Sequence, residues 1–202
     1  MEDSNRITLR KIGNYALTVA LFAGLAGMFL SIVFMFTEPQ RLANARRMEL
    51  QARQLVAPEA DSFVERTISV NEENTNADRS FCYVEVYDQD KNISGYLVSF
   101  PARGYSSDIM IMAGISLEYS LKGMTILSQS ETPGLGTRVE EPWFIEQFAG
   151  KSTNALAVQQ DGGEIAAITG ATISSAAVAD GVREKINLFK NIMQEANQNE
   201  IN

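Results

Sequence analysis

The stretch Thr169-Gly170-Ala171-Thr172-Ile173-Ser174-Ser175 stands between an apolar segment and the last predicted helix. Gly170 can adopt a positive φ and let the backbone turn sharply. The hydroxyl groups that follow then fall at the first turn of the helix, where unpaired N–H groups and the helix dipole favour an anion such as a phosphate. An ordinary N-cap is the alternative, because Ser and Thr are the usual capping residues. The stretch therefore predicts either a phosphate site or a helix cap.

A second loop precedes it in the chain: Ser130-Glu131-Thr132-Pro133-Gly134-Leu135-Gly136-Thr137. Two glycines and a proline close together predict a shaped loop, and glycine lets a flat ligand approach the backbone closely. A simple turn between a strand and a helix is the alternative. The loop has neither the GxGxxG nor the Walker spacing, so it predicts neither dinucleotide nor ATP binding.

The composition excludes several chemistries. The 202-residue chain has no His, which excludes Ser-His-Asp and Cys-His nucleophile systems, the usual zinc sites and His-ligated haem. Its formal net charge of −8 argues against a nucleic-acid partner. The single Cys82 can form no internal disulfide and hold no iron–sulfur cluster, and its alternating surroundings predict a buried, inert thiol. Any redox chemistry therefore needs an organic cofactor, and no metal site or catalytic residue is predicted.

Residues 15–36 form an uncharged segment of 22 residues. As a helix it would be about 33 Å long, enough to cross a hydrocarbon core of about 30 Å. A buried core helix and a signal peptide are the alternatives, but the segment exceeds a signal h-region and lacks its small-residue cleavage site, so an uncleaved anchor is predicted. Arg and Lys residues are nearly balanced on its two sides and leave the orientation open. The predicted organisation is a tail (1–14), a transmembrane anchor (15–37), a linking amphipathic helix (38–60) and a domain (61–202).

The rest of the chain predicts an α+β domain with a mixed sheet and flanking helices. Pro58 is expected to end the first helix, Gly123 to mark a turn, and the polar segment 71–78 to be an exposed loop. Strands are predicted at 81–88, 94–100, 109–116, 124–128, 155–158 and 164–168. Helices are predicted at 40–56, 140–148 and 174–195.

Together these features resemble the FMN-binding domain family. Residues 169–172 are similar to its S/T-G-A-T signature, residues 131–136 to its E-T-P-G-L-G loop, and residues 143–151 to the segment that follows this loop. With the anchor, the order and spacing resemble the family of G subunits from Rnf ion-translocating electron-transport complexes over nearly the whole chain. The homologous C subunits of the sodium-pumping NADH:quinone reductases are the second match.

The resemblance implies that a dedicated flavin transferase esterifies the phosphate of FMN to Thr172. The family usually has an acidic residue six positions before this Thr, as part of what the transferase recognises, where the present chain has Ala166. The residues implied to shape the phosphate cradle are Thr169, Gly170, Ala171, Ser174 and Ser175. The residues implied to lie against the flavin are Glu131, Thr132, Gly134 and Leu135.

The resemblance further implies an electron-relay subunit, rather than a complete enzyme, in a complex that moves electrons between reduced ferredoxin and NAD and couples this to ion transport. Its expected partners are other membrane subunits, the flavin transferase and membrane lipid. The family places this domain on the outer side of the cytoplasmic membrane. A membrane-anchored binding or assembly module and a self-contained flavin reductase are the alternatives.

Overall fold

The computed structural model describes residues 2–71 and 78–199. The chain divides into two units, Met1–Arg47 and Met48–Asn202. The helices are α1 (Glu2–Val56), α2 (Pro142–Ile145) and α3 (Thr172–Asn199), and the strands are β1 (Ser62–Asn71), β2 (Asp78–Tyr87), β3 (Ile93–Arg103), β4 (Asp108–Ile115) and β5 (Leu121–Ser128). Short 3-10 turns lie at Gly136–Glu140, Glu146–Phe148, Thr153–Ala155 and Gln159–Asp161.

A five-stranded sheet with the strand order β1-β2-β3-β4-β5 forms the centre of the unit Met48–Asn202. Every strand pairs antiparallel with the next one in sequence. The α+β class with flanking helices is confirmed, but the sheet is antiparallel rather than mixed, because the links between β2, β3, β4 and β5 are too short for parallel crossovers. Among the described residues, parallel pairing is limited to one bridge between Val158 and Ile165.

Most of the predicted elements are present. The predicted helix at 40–56 is the last part of α1, which ends at Val56 before Pro58, and the predicted last helix is α3. The predicted loop 71–78 lies mostly outside the described residues; its first residue ends β1 and its last begins β2. The strands predicted at 81–88, 94–100, 109–116 and 124–128 correspond in order to β2, β3, β4 and β5.

Two strand predictions are wrong, those at 155–158 and 164–168. The 3-10 turns Thr153–Ala155 and Gln159–Asp161 lie on either side of residues 156–158, and strand-like pairing in the two segments is limited to the single bridge between Val158 and Ile165. Gly163 shows why they are not strands: a Cβ there would lie 2.0 Å from the carbonyl oxygen of Ala157. The chain folds back too closely here for an extended strand with side chains on both faces.

The predictions for Gly123 and Cys82 are also wrong. Gly123 lies within β5, opposite Gly114, and the turn before β5 is instead closed by hydrogen bonds between Ser116 and Ser120. Cys82 is exposed rather than buried. It follows the alternation of β2 and points to the sheet face opposite that of Tyr83, away from the main core.

Helix α3 packs on one face of the sheet. Its fully buried side chains recur every three or four residues, at Val178, Val182, Ile186 and Phe189, as expected for one apolar helix face. Gly181 lets the helix approach closely, because a Cβ there would lie 2.8 Å from the Cβ of Ala102 in β3. This contact places the first half of α3 against the end of β3. On the other face, a smaller cluster joins Ala52 of α1 to Val86, Leu97 and Met112.

Helix α1 has a long apolar part. Within the described residues it is the one helix that is long and apolar enough to cross a membrane. The large apolar side chains between Val19 and Phe36 are all exposed, so they do not form a protein core. Polar interactions begin at the end of this part: the Thr37 hydroxyl donates to the carbonyl of Val33, and Glu38 pairs with Arg41 at 2.9 Å. This pattern makes α1 a candidate membrane span.

A charge in the middle of this span should weaken membrane retention. Leu25→Arg places a guanidinium near the centre of residues 15–36, where insertion costs about 2.5–3.5 kcal/mol. We expect the unaltered chain to stay with the membrane in alkaline carbonate and the variant to be partly extracted. Leu42→Arg is the matched control, since Leu42 is similarly exposed but lies beyond the uncharged segment. Carbonate extraction of the unaltered chain would contradict the prediction.

Candidate functional site

The two loops that stand out in the sequence meet at one pocket, together with the loop between β3 and β4. Its volume is about 540 Å³, within the usual range of small-molecule sites. The start of α3 forms one wall of the pocket. The pocket is lined by Tyr105, Glu131, Thr132, Leu135, Gly136, Gly170, Ala171, Thr172, Ile173 and Ser174.

A tight turn places the start of α3 at this pocket. Gly170 adopts φ 79°, a left-handed conformation that glycine tolerates best. The Ala171 N–H then donates to the carbonyl of Ile168 at 2.9 Å. The Ser175 hydroxyl stabilises the turn with two hydrogen bonds: it donates to the carbonyl of Ala171 at 2.9 Å and accepts from the N–H of Ile168 at 3.0 Å. The turn is thus held by the helix that it introduces.

The three hydroxyl groups at the start of α3 have different surroundings. Ser174 and Ser175 are buried, and both hydroxyls bond within the protein: Ser174 Oγ donates to Glu131 at 2.7 Å and Ser175 Oγ donates to Ala171. Thr172 is half-buried and lines the pocket. Its hydroxyl makes no hydrogen bond within the part of the chain that the structure describes. Of the three, Thr172 is therefore the hydroxyl available to a ligand.

A buried carboxylate connects the segments around the pocket. One oxygen of Glu131 accepts from the backbone N–H groups of Ser106 and Ser107, both at 2.9 Å. The other oxygen accepts from the Ser174 hydroxyl at 2.7 Å. Glu131 is only 5% exposed. Its side chain therefore joins the β3–β4 loop to its own loop and to the first turn of α3.

Two glycines make room for this carboxylate. A Cβ on Gly104 would lie 2.5 Å from Glu131 Oε1, and one on Gly136 would lie 2.6 Å from Glu131 Oε2. Both distances are far below van der Waals contact. The close packing explains why glycines flank the glutamate in the folded structure.

Glu131 remains ionised at neutral pH. Burial alone would raise its pKa, but hydrogen bonds from the Ser174 hydroxyl and from the N–H groups of Ser107 and Ser106 lower the pKa more, so the net value lies below the ordinary one. Donors of this kind favour the charged form of a carboxylate. The pocket wall therefore carries a fixed negative charge.

The pocket gathers most of the predicted site residues. Of the ten predicted residues, seven line it: Glu131, Thr132, Leu135, Gly170, Ala171, Thr172 and Ser174. Thr169, Gly134 and Ser175 are not among its lining residues. Gly134 adopts φ 76° and shapes the loop, where its N–H donates to the Thr137 hydroxyl at 3.1 Å.

Three lining residues are missing from the sequence prediction. Gly136 and Ile173 lie within the two quoted stretches but carry no chemical group that singles them out. Tyr105 lies in the β3–β4 loop, and its only signal in the sequence is an aromatic residue directly after Gly104. The sheet brings this loop next to the start of α3.

The residues present fit a ligand with a phosphate and a planar ring. The polar end of the pocket is the start of α3, where the N–H groups of residues 172–174 have no intrahelical acceptor. The rim is apolar and exposed: Tyr105 is 68%, Leu135 43% and Ile173 57% exposed. Large apolar side chains around a pocket indicate a binding site. FMN combines the two chemical features that this arrangement suits.

Comparison with known proteins agrees with this geometry. The FMN-binding domain family matches residues 104–187, which include both loops of the pocket. The G subunit of the ion-translocating oxidoreductase complex of Pseudomonas aeruginosa is 30% identical over 199 residues, and the match covers 90% of each chain. The chain belongs to this G-subunit family. Its relative in Methanosarcina acetivorans, of the same name, is 28% identical over 187 residues, which are 92% of this chain and 96% of that protein.

The family predicted from the two sequence stretches is thus confirmed, together with an FMN-binding domain. The membership supports a role as an electron-transfer subunit. A crystal structure of NqrC from Shewanella oneidensis is 18% identical, with a TM-score of 0.49, and the match covers 64% of this chain and 68% of that one.

Removing the charge of Glu131 should make stability less dependent on pH. Because hydrogen bonds to a charged group contribute about 1.5–3 kcal/mol, we expect Glu131→Gln to lower the unfolding free energy by about 2 kcal/mol at neutral pH. The folded-state pKa of Glu131 is lowered, so its stabilisation is present above the unfolded pKa of about 4.3 and is lost as pH falls through the folded value. The difference between the two proteins should therefore narrow in acid.

Urea unfolding of the full chain in detergent, followed by the fluorescence of Trp143, the single Trp, measures this difference. Glu184→Gln is the control, because Glu184 is exposed on α3. A difference between Glu131→Gln and the unaltered chain that stays constant from neutral to acid pH would contradict the prediction.

Proposed function

We propose that this protein is the electron-relay subunit of a membrane-bound ion-translocating ferredoxin:NAD oxidoreductase complex of the Rnf type, and that it carries FMN as a phosphoester on Thr172. One observation supports the attachment site above the others. Of the three hydroxyls at the start of α3, Thr172 alone lines the pocket without being bonded inside the described part of the protein. A residue that must react with an incoming group needs such a free, accessible hydroxyl.

The start of α3 would hold the phosphate. Helix N-termini bind phosphate because their first N–H groups are unpaired and the helix dipole favours a negative charge. The positive φ of Gly170 directs the backbone into this arrangement. The exposed side chains of Tyr105, Leu135 and Ile173 would contact the ring system and keep water away from its faces. When bound, FMN supplies the electron-carrying ring, while the protein supplies position and electrostatics.

Ester formation requires an activated flavin donor. A flavin nucleotide with a phosphoanhydride bond meets this need, because free FMN would have to expel water. Thr172 Oγ1 would bond to phosphorus while the phosphoanhydride bond breaks, and the leaving nucleoside monophosphate would take the electron pair. The hydroxyl proton passes to a base of the flavin transferase. No electrons are exchanged, so the flavin keeps its oxidation state.

We further propose partner subunits and a membrane location for the protein. Relatives bear the names of subunits of the ion-translocating oxidoreductase complex and of ferredoxin:NAD(+) oxidoreductase complexes, so other membrane subunits are the proposed partners. Residues 15–37 would anchor the chain in the lipid, with the tail 1–14 before them and residues 38–60 leading to the domain at 61–202. The domain would lie on the outer side of the cytoplasmic membrane.

Thr172→Ala should yield a folded protein without covalent flavin. The substitution removes the reacting oxygen, and because this hydroxyl makes no hydrogen bond within the described part of the chain, we expect a stability loss below the roughly 1 kcal/mol typical of a capping hydroxyl. Full-length protein produced with the transferase is analysed by intact mass and by peptide mapping. The unaltered chain should carry one FMN on the peptide with Thr172.

Thr172→Ser is the matched control, since it keeps a hydroxyl at the same position and should retain some flavin. FMN on Ser174 or Ser175, or on the Thr172→Ala variant, would refute the assignment. A chain that binds no flavin in any form would instead favour the assembly module. Turnover of a substrate by the isolated protein would favour a self-contained flavin reductase.

Ala166→Asp should increase the fraction of protein that carries flavin, because it restores the acidic residue that the family has six positions before the modified Thr. The change should leave the fold intact. Residue 166 is held through its backbone: its N–H donates to Gln147 Oε1 at 2.7 Å, and its carbonyl accepts from Gln147 Nε2 at 3.3 Å. The flavin-to-protein ratio at limiting transferase measures the effect. The same ratio for Ala167→Asp, one residue later, is the control, and equal ratios for the two variants would contradict the prediction.

A further inference from the structure

The carboxylate of Glu131 has no positive partner in the part of the chain that the structure describes. There it accepts hydrogen bonds from the N–H groups of Ser106 and Ser107 and from the hydroxyls of Ser174 and Ser107. All of these donors are neutral. They hold the carboxylate in place and spread its charge, but they do not cancel it. A buried negative charge therefore stands in the wall of the pocket.

We propose that Glu131 is a positioning residue with an electrostatic role: it holds the three pocket segments together and lowers the midpoint potential of the flavin. The inference rests on the proposed function, because it requires FMN in this pocket. A fixed negative charge disfavours the addition of electrons to a nearby ring, and the low dielectric of a buried site strengthens this effect.

The electrostatic role differs from a purely structural one in a measurable way. Gln at position 131 has nearly the same shape as Glu. Its carbonyl oxygen can accept from Ser106 and Ser107, and its amide can donate to the hydroxyl oxygen of Ser174. Glu131→Gln therefore removes the charge while it keeps most of the geometry. The flavin potential of this variant should rise.

Ser174→Ala makes the opposite change. It keeps the carboxylate but removes the hydroxyl that donates to Oε2 at 2.7 Å. Because one donor that spreads the charge is lost, the flavin potential should fall. A purely structural disturbance of the pocket gives no reason for the two variants to shift the potential in opposite directions.

The experiment uses the full chain, produced with the transferase and purified in detergent. Intact mass reports whether FMN is attached, and a spectroelectrochemical titration reports its midpoint potential. Glu184→Gln is the matched control, because it also removes one negative charge. Glu184 is exposed on α3 and lies 12 residues after Thr172, about 18 Å along the helix axis. We expect a rise for Glu131→Gln, a fall for Ser174→Ala and no shift for Glu184→Gln.

An unchanged potential in flavin-loaded Glu131→Gln, or a rise in Ser174→Ala, would overturn the electrostatic role. If Glu131→Gln does not fold, the sign of the shift in midpoint potential in Ser174→Ala still tests the electrostatic role. Hydrogen exchange of the Ser106 and Ser107 amides tests the positioning role without any flavin. Glu131→Ala removes the acceptor of both amides, and unchanged protection in this variant would overturn that role. An unaltered chain without attached FMN would refute the proposed ester alone, since the same potentials are then measured with free FMN added.

Discussion

The bond between the Glu131 carboxylate and the Ser174 hydroxyl, at 2.7 Å, connects parts of the chain that are far apart in sequence. It ties the loop after β5 to the first turn of α3, and the other oxygen of the same carboxylate ties in the β3–β4 loop. The two loops are also joined by the Ser130 N–H, which donates to the Ser107 hydroxyl at 3.0 Å, and by a hydrogen bond between the Ser106 and Thr132 hydroxyls at 3.3 Å. Since a buried carboxylate is costly when its donors are missing, the Glu131 side chain is fully hydrogen-bonded only when the three segments come together.

This constraint explains how neighbouring hydroxyls acquire different roles. Ser175 holds the turn at Ile168 and Ala171, and Ser174 satisfies Glu131. Both are therefore committed to the fold. Thr172 begins α3, so its side chain lies at the pocket while its hydroxyl stays outside both of these bonds. A sequence motif with three hydroxyls thus contains two that build the site and one that remains available for chemistry.

Local patterns were sufficient for much of the fold. Strands β2 to β5 show apolar alternation and short turns, and both can be recognised within a few residues. Strand β1 is different: it pairs only with β2, at the edge of the sheet, and Glu65 and Arg66 interrupt its apolar pattern. The site likewise contains a residue that its local sequence does not predict. Tyr105 reaches the pocket because β3 ends and β4 begins beside α3, and this arrangement depends on pairing across the sheet. Gly170 and Thr172, in contrast, could be found from their own neighbours.

The resemblance to the FMN-binding domain family implies an acidic residue at position 166, where this chain has Ala166. Gln147 bonds to both the N–H and the carbonyl of Ala166, so the backbone there is held independently of the side chain it carries. The path of the segment before the Thr169–Ser175 stretch is therefore held by bonds that do not involve the side chain at position 166. In the function proposed above, a transferase that contacts the side chain at position 166 would respond to the difference. Within the described part of the chain, the hydrogen bonds of Glu131 and Ser174 do not involve residue 166, so in the proposed function this position bears on how the flavin is attached rather than on where it would lie.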